Sequence, residues 1–276
     1  MKGDRGKEGL TFGVLRLGEQ ARAFAGDSGE TELALVILSG RCVIEAGSMK
    51  WGPIGTRDTV FSGKATGVYI PPYTDYRVYP VGRVEVAISG VPSDIKGEPQ
   101  IVTPDHVVVN TRGVGNFTRE VHDIIALNVK AQKLVVGETF TPQGNWSSYP
   151  PHKHDVDDFP NEVKMEELYF FKVNPPQGFG VQIIYGSAGQ SGRETCAAEG
   201  GELLIGNGGA YCENAYVIRD NDVVLIESGY HPVVAAPGYA IYYLWVLAGE
   251  NRMLVPRDDP DHVWIKEKPE LGAREQ

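Results

Sequence analysis

Tyr149-Pro150-Pro151-His152-Lys153-His154-Asp155 places two of the chain's six histidines one residue apart. In a β-strand, residues i and i+2 share a face. His152 and His154 then present two imidazoles side by side, with Lys153 turned away. Neutral imidazole is the commonest side-chain metal ligand, so a strand-borne His-x-His offers half of a metal site. Taken alone the pair reads equally well as two half-exposed loop histidines, and the rest of the chain has to supply the partners.

Length and charge narrow the classes. The 276 residues suffice for one large or two medium domains with a sizeable core. No apolar run approaches the roughly 20 residues needed to cross a membrane. The charged opening Met1-Lys2-Gly3-Asp4-Arg5-Gly6-Lys7-Glu8 leads into no apolar segment, unlike a signal peptide. Cys42, Cys196 and Cys212 are far apart and odd in number. They read as reduced, buried thiols of a cytoplasmic protein, not as a disulfide framework or as nucleophiles. A formal charge of −10 argues against nucleic acid, which needs a basic face. A small anionic substrate stays compatible, because a local pocket can oppose the global charge.

The 34 glycines and 18 prolines punctuate short runs rich in valine, isoleucine and tyrosine, the pattern of an all-β sandwich or barrel. In the first half, strands are expected over 11–17 and 67–70. Residues 33–38 are expected to turn at Ser39-Gly40 and return over 41–45 as a hairpin. Strands 76–79 and 84–88 are expected to flank a turn at Pro80-Val81-Gly82. Residues 92–115 read as a linking segment with a strand near 107–110, and 119–125 as a short helix or strand. In the second half, strands are expected over 133–139, 166–173, 179–185, 215–219, 222–226, 232–235 and 240–247.

An internal repeat organises these runs. Residues 70–86 lie over 226–242 without a gap, so that Val68 falls on Val224, Ile70 on Ile226 and Gly82 on Gly238. A period of about 156 residues is too long for a solenoid and fits two copies of one β domain. The second copy holds a third histidine, His231, just after the strand over 222–226, where the first copy has Asp75. The first copy also lacks a His-x-His, so a metal site belongs to the second copy alone. A carboxylate ligand is expected from Glu166 or Glu167, and strand alternation lets only one of them face inward. Three histidines and one carboxylate suit Zn, Mn, Fe, Ni or Co. They leave a position open for water or substrate, as catalytic centres do.

A β-barrel carrying His-x-His, then Glu, then a later His resembles the cupin superfamily, and two such domains resemble a bicupin. The stretches Tyr149 to Asp155, Gly229-Tyr230-His231-Pro232-Val233, Ala236-Pro237-Gly238-Tyr239 and Tyr243-Leu244-Trp245-Val246-Leu247-Ala248-Gly249 narrow the likeness. They resemble the bacterial 5-deoxy-glucuronate isomerase family of myo-inositol catabolism and, more distantly, the 5-keto-4-deoxyuronate isomerases. The resemblance covers the whole chain and is most specific over residues 149–249. It implies two jelly-roll β-barrels, an N-terminal cupin domain over 1–125 without metal and a C-terminal one over 126–276 with it. In the distant relatives the ligand glutamate precedes an apolar-Tyr-aromatic run, which selects Glu167 before Leu168-Tyr169-Phe170. The implied metal set is therefore His152, His154, Glu167 and His231, with zinc first among the divalent ions. Twelve residues, Asp155 to Glu166, separate His154 from Glu167, a longer spacer than cupins have. This acidic insert reads as a loop at the barrel mouth.

The implied reaction is aldose–ketose isomerisation of 5-deoxy-D-glucuronate to 5-dehydro-2-deoxy-D-gluconate by a cytoplasmic enzyme that self-associates. Such a reaction needs a base, which the sequence does not single out, and a stabiliser for the enediol oxygens, which a divalent metal provides. The substrate carboxylate favours a cationic clamp, for which Arg119, Arg193, Arg219 and Lys172 are candidates. Gln182, Tyr169 and Tyr242 are expected to face the barrel interior and bind substrate. The same ligand set would serve a cupin dioxygenase, and a non-catalytic sugar-binding cupin would share the fold. Gly113-Val114-Gly115 lacks the spacing of a phosphate loop, the adjacent His122 and Asp123 read as a chance pair, and His106 and His262 read as surface residues. The run Asp258-Asp259-Pro260-Asp261 reads as a solvated turn.

Overall fold

Runs of β-branched and aromatic residues become strands almost throughout, because such side chains pack well on a pleated, half-buried surface. A computed structural model describes residues 9–186 and 212–267. The first half holds β1 (Thr11–Leu17), β2 (Phe24–Asp27), β3 (Thr31–Ala46), β4 (Met49–Ile54), β5 (Thr66–Ile70), β6 (Asp75–Pro92) and β7 (Gln100–Val102). Next come β8 (Val108–Arg112), β9 (Arg119–Ile125), β10 (Leu134–Thr141), β11 (Trp146–Ser147), β12 (His152–Lys153) and β13 (Glu166–Asn174). The chain continues with β14 (Gly180–Gly186), β15 (Cys212–Ile218), β16 (Val223–Ile226), β17 (Val233–Ala235), β18 (Ala240–Ala248) and β19 (Arg257–Asp258). Helix among the described residues is confined to three short 3-10 segments. None is long and apolar enough to cross a membrane.

Four sheets result. One has the order β1-β6-β3-β5-β7, with β2 on β6 and β4 on β3. A six-stranded sheet has the order β16-β13-β18-β10-β9-β8, a four-stranded one β11-β17-β14-β15, and β12 pairs with β19. The order β1-β6-β3-β5 matches β10-β18-β13-β16, strand for strand, as the internal repeat requires. Gly82 and Gly238, aligned by that repeat, have φ of 81° and 84°. In the registers, Leu33 stands opposite Ile70 and Glu167 opposite Ile226. The first copy therefore carries buried Leu33 where the second carries Glu167 and, by the alignment, Asp75 where the second has His231. The chain is an all-β bicupin. β8 and β9, upstream of residue 126, are hydrogen-bonded onto β10 in the second large sheet.

Two expected turns are corrected. Ser39-Gly40 is not the end of a hairpin, and Pro80-Val81-Gly82 does not separate two strands. The backbone runs through both, giving β3 and β6 their length, and the two strands pair with each other from Thr31↔Pro92 to Ala46↔Tyr76. The glycines absorb irregularities in register instead, one of them between Gly40 and Arg41. Gly40 has φ 81°, and a Cβ there would meet the Arg83 carbonyl oxygen at 2.0 Å. The hairpin turn comes later, at Gly47-Ser48 between β3 and β4. Segment 119–125 is a strand.

Apolar packing falls into three clusters. One, with Leu35, Ile44, Val68 and Val86, lies within the first half. A second, with Tyr169, Phe171, Tyr243 and Trp245, lies within the second half. The third joins them: Ala34, Val36, Leu38 and Tyr69 pack with Leu134, Val136, Phe170 and Leu244. Each large sheet thus buries both faces, which explains the nearly continuous apolar runs of β3 and β18.

Candidate metal centre

His152 lies on β12, a short strand held by pairing with Arg257 and Asp258 of β19. Alternation turns Lys153 away, where its ammonium meets Asp155 Oδ2 at 3.1 Å. His154 follows on the His152 side, with the two rings 5.3 Å apart. His231 arrives on the turn between β16 and β17, its ring 4.8 Å from His152 and 5.6 Å from His154. The ligand atoms of these three histidines all lie within 4.8 Å of one another.

Glu166 and Glu167 separate as alternation requires. Glu166 is exposed and accepts a hydrogen bond from the Leu10 amide. Glu167 is 4% exposed, and its Oε2 stands 3.1 Å from His231 Nε2 and 3.7 Å from His154 Nε2. Burying an unpaired carboxylate is costly. Yet Glu167 Oε2, His231 Nε2 and His154 Nδ1 have no hydrogen-bond partner, three of the six such buried side-chain atoms among the described residues. Two of these, Glu167 Oε2 and His231 Nε2, face each other with His154 Nε2 beside them, an arrangement that fits a cation. Ligands held about 2.1 Å from a common ion stand roughly 3 Å apart, which the Glu167–His231 spacing matches. The nitrogen and carboxylate set is that of a borderline divalent metal, so the histidine triad can hold one.

The electrostatics agree. Burial pushes the pKa of His154 down to about 4. Burial, then the neighbouring His231 and His154, hold His152 well below the ordinary histidine range. Both rings are neutral near pH 7, the form that ligates. Burial also opposes charge on His231, but Glu167 beside it prevails and raises its pKa. His231 Nδ1 donates to the Gly229 carbonyl at 2.9 Å, which leaves Nε2 with its lone pair toward the site.

The expected substrate residues divide. Gln182 is fully buried, and its Nε2 donates to the His231 carbonyl at 2.9 Å. Tyr169 lies 5.9 Å from the His231 ring, and its hydroxyl is 3.0 Å from Ser148 Oγ. Tyr242 points to the opposite face, where it donates to Glu138 Oε1 at 2.7 Å. Its neighbour Tyr243 takes the inward place, 4.4 Å from Tyr169 between ring centroids and 3.2 Å from Ser148 Oγ. The β13–β18 register sets this: Tyr169 faces Trp245, so Tyr243 and not Tyr242 shares its side. Reading it from the sequence required the partner strand, which alternation within β18 does not reveal. Ser148 was missed because nothing in its local sequence marks it.

The four cationic candidates also separate. Lys172 pairs with Glu85 at 3.1 Å and bonds Asn221. Arg219 is exposed, and Arg193 lies outside the described residues. Arg119 shares the face of Val121, which stands across from Thr139 and, through it, from Tyr243. Its guanidinium is half-buried and bonds the Phe117 carbonyl at 3.3 Å. It makes no ion pair with a described carboxylate. Burial lowers its pKa, and its charge contributes to depressing His152.

Other features are structural. His122 and Asp123 point apart, His122 toward Glu120 at 2.6 Å and Asp123 toward Asn110 at 3.2 Å. His106 is exposed and bonds Thr103. Cys42 is a buried free thiol whose pKa burial pushes up to about 12, while Cys196 and the Cys212 side chain lie outside the described residues. Asp259, expected in a solvated turn, is instead buried and accepts from the Tyr185 hydroxyl at 2.5 Å.

A model of the KduI/IolB family matches residues 2–211 and 206–265. A 5-deoxy-glucuronate isomerase of Geobacillus kaustophilus is 38% identical over 97% of this chain and 88% of its own. The enzyme of the same name from Bacillus subtilis is 34% identical over 86% of this chain and 80% of its own. The crystal structure of an IolB-like protein from Salmonella typhimurium superposes with a TM-score of 0.82 at 31% identity, covering 93% of this chain and 90% of that one. Bacillus subtilis oxalate decarboxylase, a protein with Mn(II) centres, shares the fold alone, with a TM-score of 0.57 and 9% identity over 98% of this chain and 79% of that one.

Proposed function

The chain belongs to the KduI/IolB family, and from that premise we propose that it is an aldose–ketose isomerase. It converts 5-deoxy-D-glucuronate to 5-dehydro-2-deoxy-D-gluconate in the breakdown of myo-inositol, in the cytoplasm. The observation that carries the reading is the cluster of His152, His154 and His231 with buried Glu167 3.1 Å from His231 Nε2, in a chain 38% identical to an enzyme of that name.

His152, His154, Glu167 and His231 would hold the metal, with zinc the first choice. A bound divalent ion supplies Lewis-acid polarisation of the substrate carbonyl, worth several kcal/mol. The isomerisation moves one proton from the hydroxyl-bearing carbon to the neighbouring aldehyde carbon. Tyr169 and Tyr243 keep their phenolic protons, because burial drives both pKa values upward. Their hydroxyls, clustered at Ser148, are therefore donors for the sugar's oxygens. Arg119 is the clamp for the substrate carboxylate, supported by its lack of a carboxylate partner among the described residues and by its position on the face of Tyr243. Gln182 steadies the turn that carries His231. The division into cupin domains over 1–125 and 126–276, with metal in the second only, is part of the same proposal. So is self-association, for which the β8 and β16 edges offer exposed Val108, Val223 and Leu225.

The test is anaerobic incubation of metal-loaded protein with 5-deoxy-D-glucuronate, followed by NMR. Ketose is expected to form without oxygen, and chelated protein is expected to be inert. Absence of turnover by the loaded protein would sink the isomerase reading.

A further inference from the structure

We infer that the twelve-residue acidic insert between His154 and Glu167 is a positioning device for the metal ligand His231, with Asp155 and Glu162 as its working residues. This rests on the metal-centre reading above.

The insert is turned inward. Asp155 Oδ1 accepts from the Gly229 amide at 2.9 Å, and the Gly229 carbonyl accepts from His231 Nδ1 at 2.9 Å. One residue thus carries the contact from the insert to the ring. Gly229 has φ 96°, and a Cβ there would come within 2.7 Å of the Tyr185 carbonyl oxygen. The turn is therefore pinned between Asp155 on one side and β14 on the other, where Tyr185 and Tyr230 exchange backbone bonds of 2.9 and 2.7 Å.

Asp155 is fixed in turn by Glu162. That side chain is fully buried, and its Oε1 accepts from the amides of Asp155 at 2.5 Å and Val156 at 3.1 Å. Its other oxygen lies 3.7 Å from the Lys153 ammonium and 3.8 Å from Arg257. Lys153 also reaches Asp155 Oδ2, so the carboxylate that orients the Gly229 turn is held from both ends. The insert then closes on the site: the Met165 amide donates to the His154 carbonyl at 3.0 Å, two residues before Glu167. A solvated loop would not bury a carboxylate to organise its own backbone. Three ligands, His154, Glu167 and His231, take their relative positions from this one segment. Partners that orient a ligating imidazole typically contribute 10- to 100-fold in metal affinity.

The experiment measures zinc dissociation constants of the full-length protein by competition with a chromophoric chelator. It is paired with the visible spectrum of the cobalt-substituted protein, which reports ligand geometry. Asp155→Ala is expected to weaken zinc about 10- to 100-fold and to alter the cobalt spectrum. Glu162→Gln should do the same to a smaller degree, and exposed Glu250→Ala should do neither. If Asp155→Ala does not fold, Asp155→Asn carries the test, with a several-fold loss expected. The inference is overturned if Asp155 variants bind zinc as the wild type does while His231→Ala loses it. If His231→Ala binds normally as well, the metal-centre reading itself fails.

Discussion

At the scale of single residues, the site turns on which of two adjacent glutamates faces inward. Glu166 and Glu167 are chemically identical and differ only in parity along β13. Glu167→Gln removes the carboxylate charge that stands 3.1 Å from His231 Nε2 and 3.7 Å from His154 Nε2. It should weaken zinc by more than the roughly 10- to 100-fold that outer partners give, whereas Glu166→Gln, exposed beside Leu10, should leave binding unchanged in the same chelator titration. The nearness of His152 to His154 was legible in the sequence because the two stand at strand spacing. His231 is marked instead by its place after a strand of the second copy, and the family resemblance selects Glu167 over Glu166. The structure brings the three histidines together. The tyrosines were harder. Tyr242 and Tyr243 are both buried, so neither composition nor hydropathy tells them apart. Only the pairing of β18 with β13 decides which one meets Tyr169.

At the scale of elements, strand positions were legible and strand ends were not. Gly40 and Gly82 look alike in sequence, as punctuation between apolar runs. In the structure both have φ of 81° inside continuous strands. They differ in surroundings: a Cβ at Gly40 would collide with the Arg83 carbonyl, and one at Gly82 would meet nothing within 4 Å. Gly82→Ala should cost only the left-handed backbone penalty, about 1–2 kcal/mol. Gly40→Ala should cost clearly more, roughly 3 kcal/mol or above, since strain at β3 is added to that penalty. Urea denaturation of the two variants measures the difference. Equal losses would mean that β3 yields freely at its bulge. A turn glycine and a bulge glycine are told apart by what lies opposite, and that information resides in β6, some 40 residues away.

At the scale of the whole molecule, the two halves share polar as well as apolar ties. Arg57, in the loop after β4, is fully buried and forms two hydrogen bonds with Glu138 of β10, at 3.0 and 2.5 Å. Burial opposes the charge on Arg57, but Glu138 prevails and its pKa is raised. Glu32 of β3, also fully buried, accepts from the amides of Gln132, Lys133 and Leu134 at 2.7–2.8 Å, just where β10 begins. Removing one member of a buried ion pair leaves an uncompensated charge. Arg57→Met alone is expected to cost about 3–5 kcal/mol, and the double variant Arg57→Met/Glu138→Leu much less. Chemical denaturation of the two single variants and the double variant provides the cycle. An additive result would show that the pair contributes no coupling. The repeat made two copies visible in the sequence. It did not reveal that Arg57 and Glu138, chosen from segments outside the aligned stretch, tie the copies together.

The core between the halves has a consequence for how the molecule responds to dilution. When two separate chains share such a core, folding follows mass action and weakens as protomers become scarce. Here both faces belong to one polypeptide, so each meets its partner at a high effective concentration set by the connection and independent of the amount of protein. The half that carries no histidine pair thereby serves as a permanently attached wall for the half that does. However few copies a cell holds, this internal contact does not dissociate into free subunits.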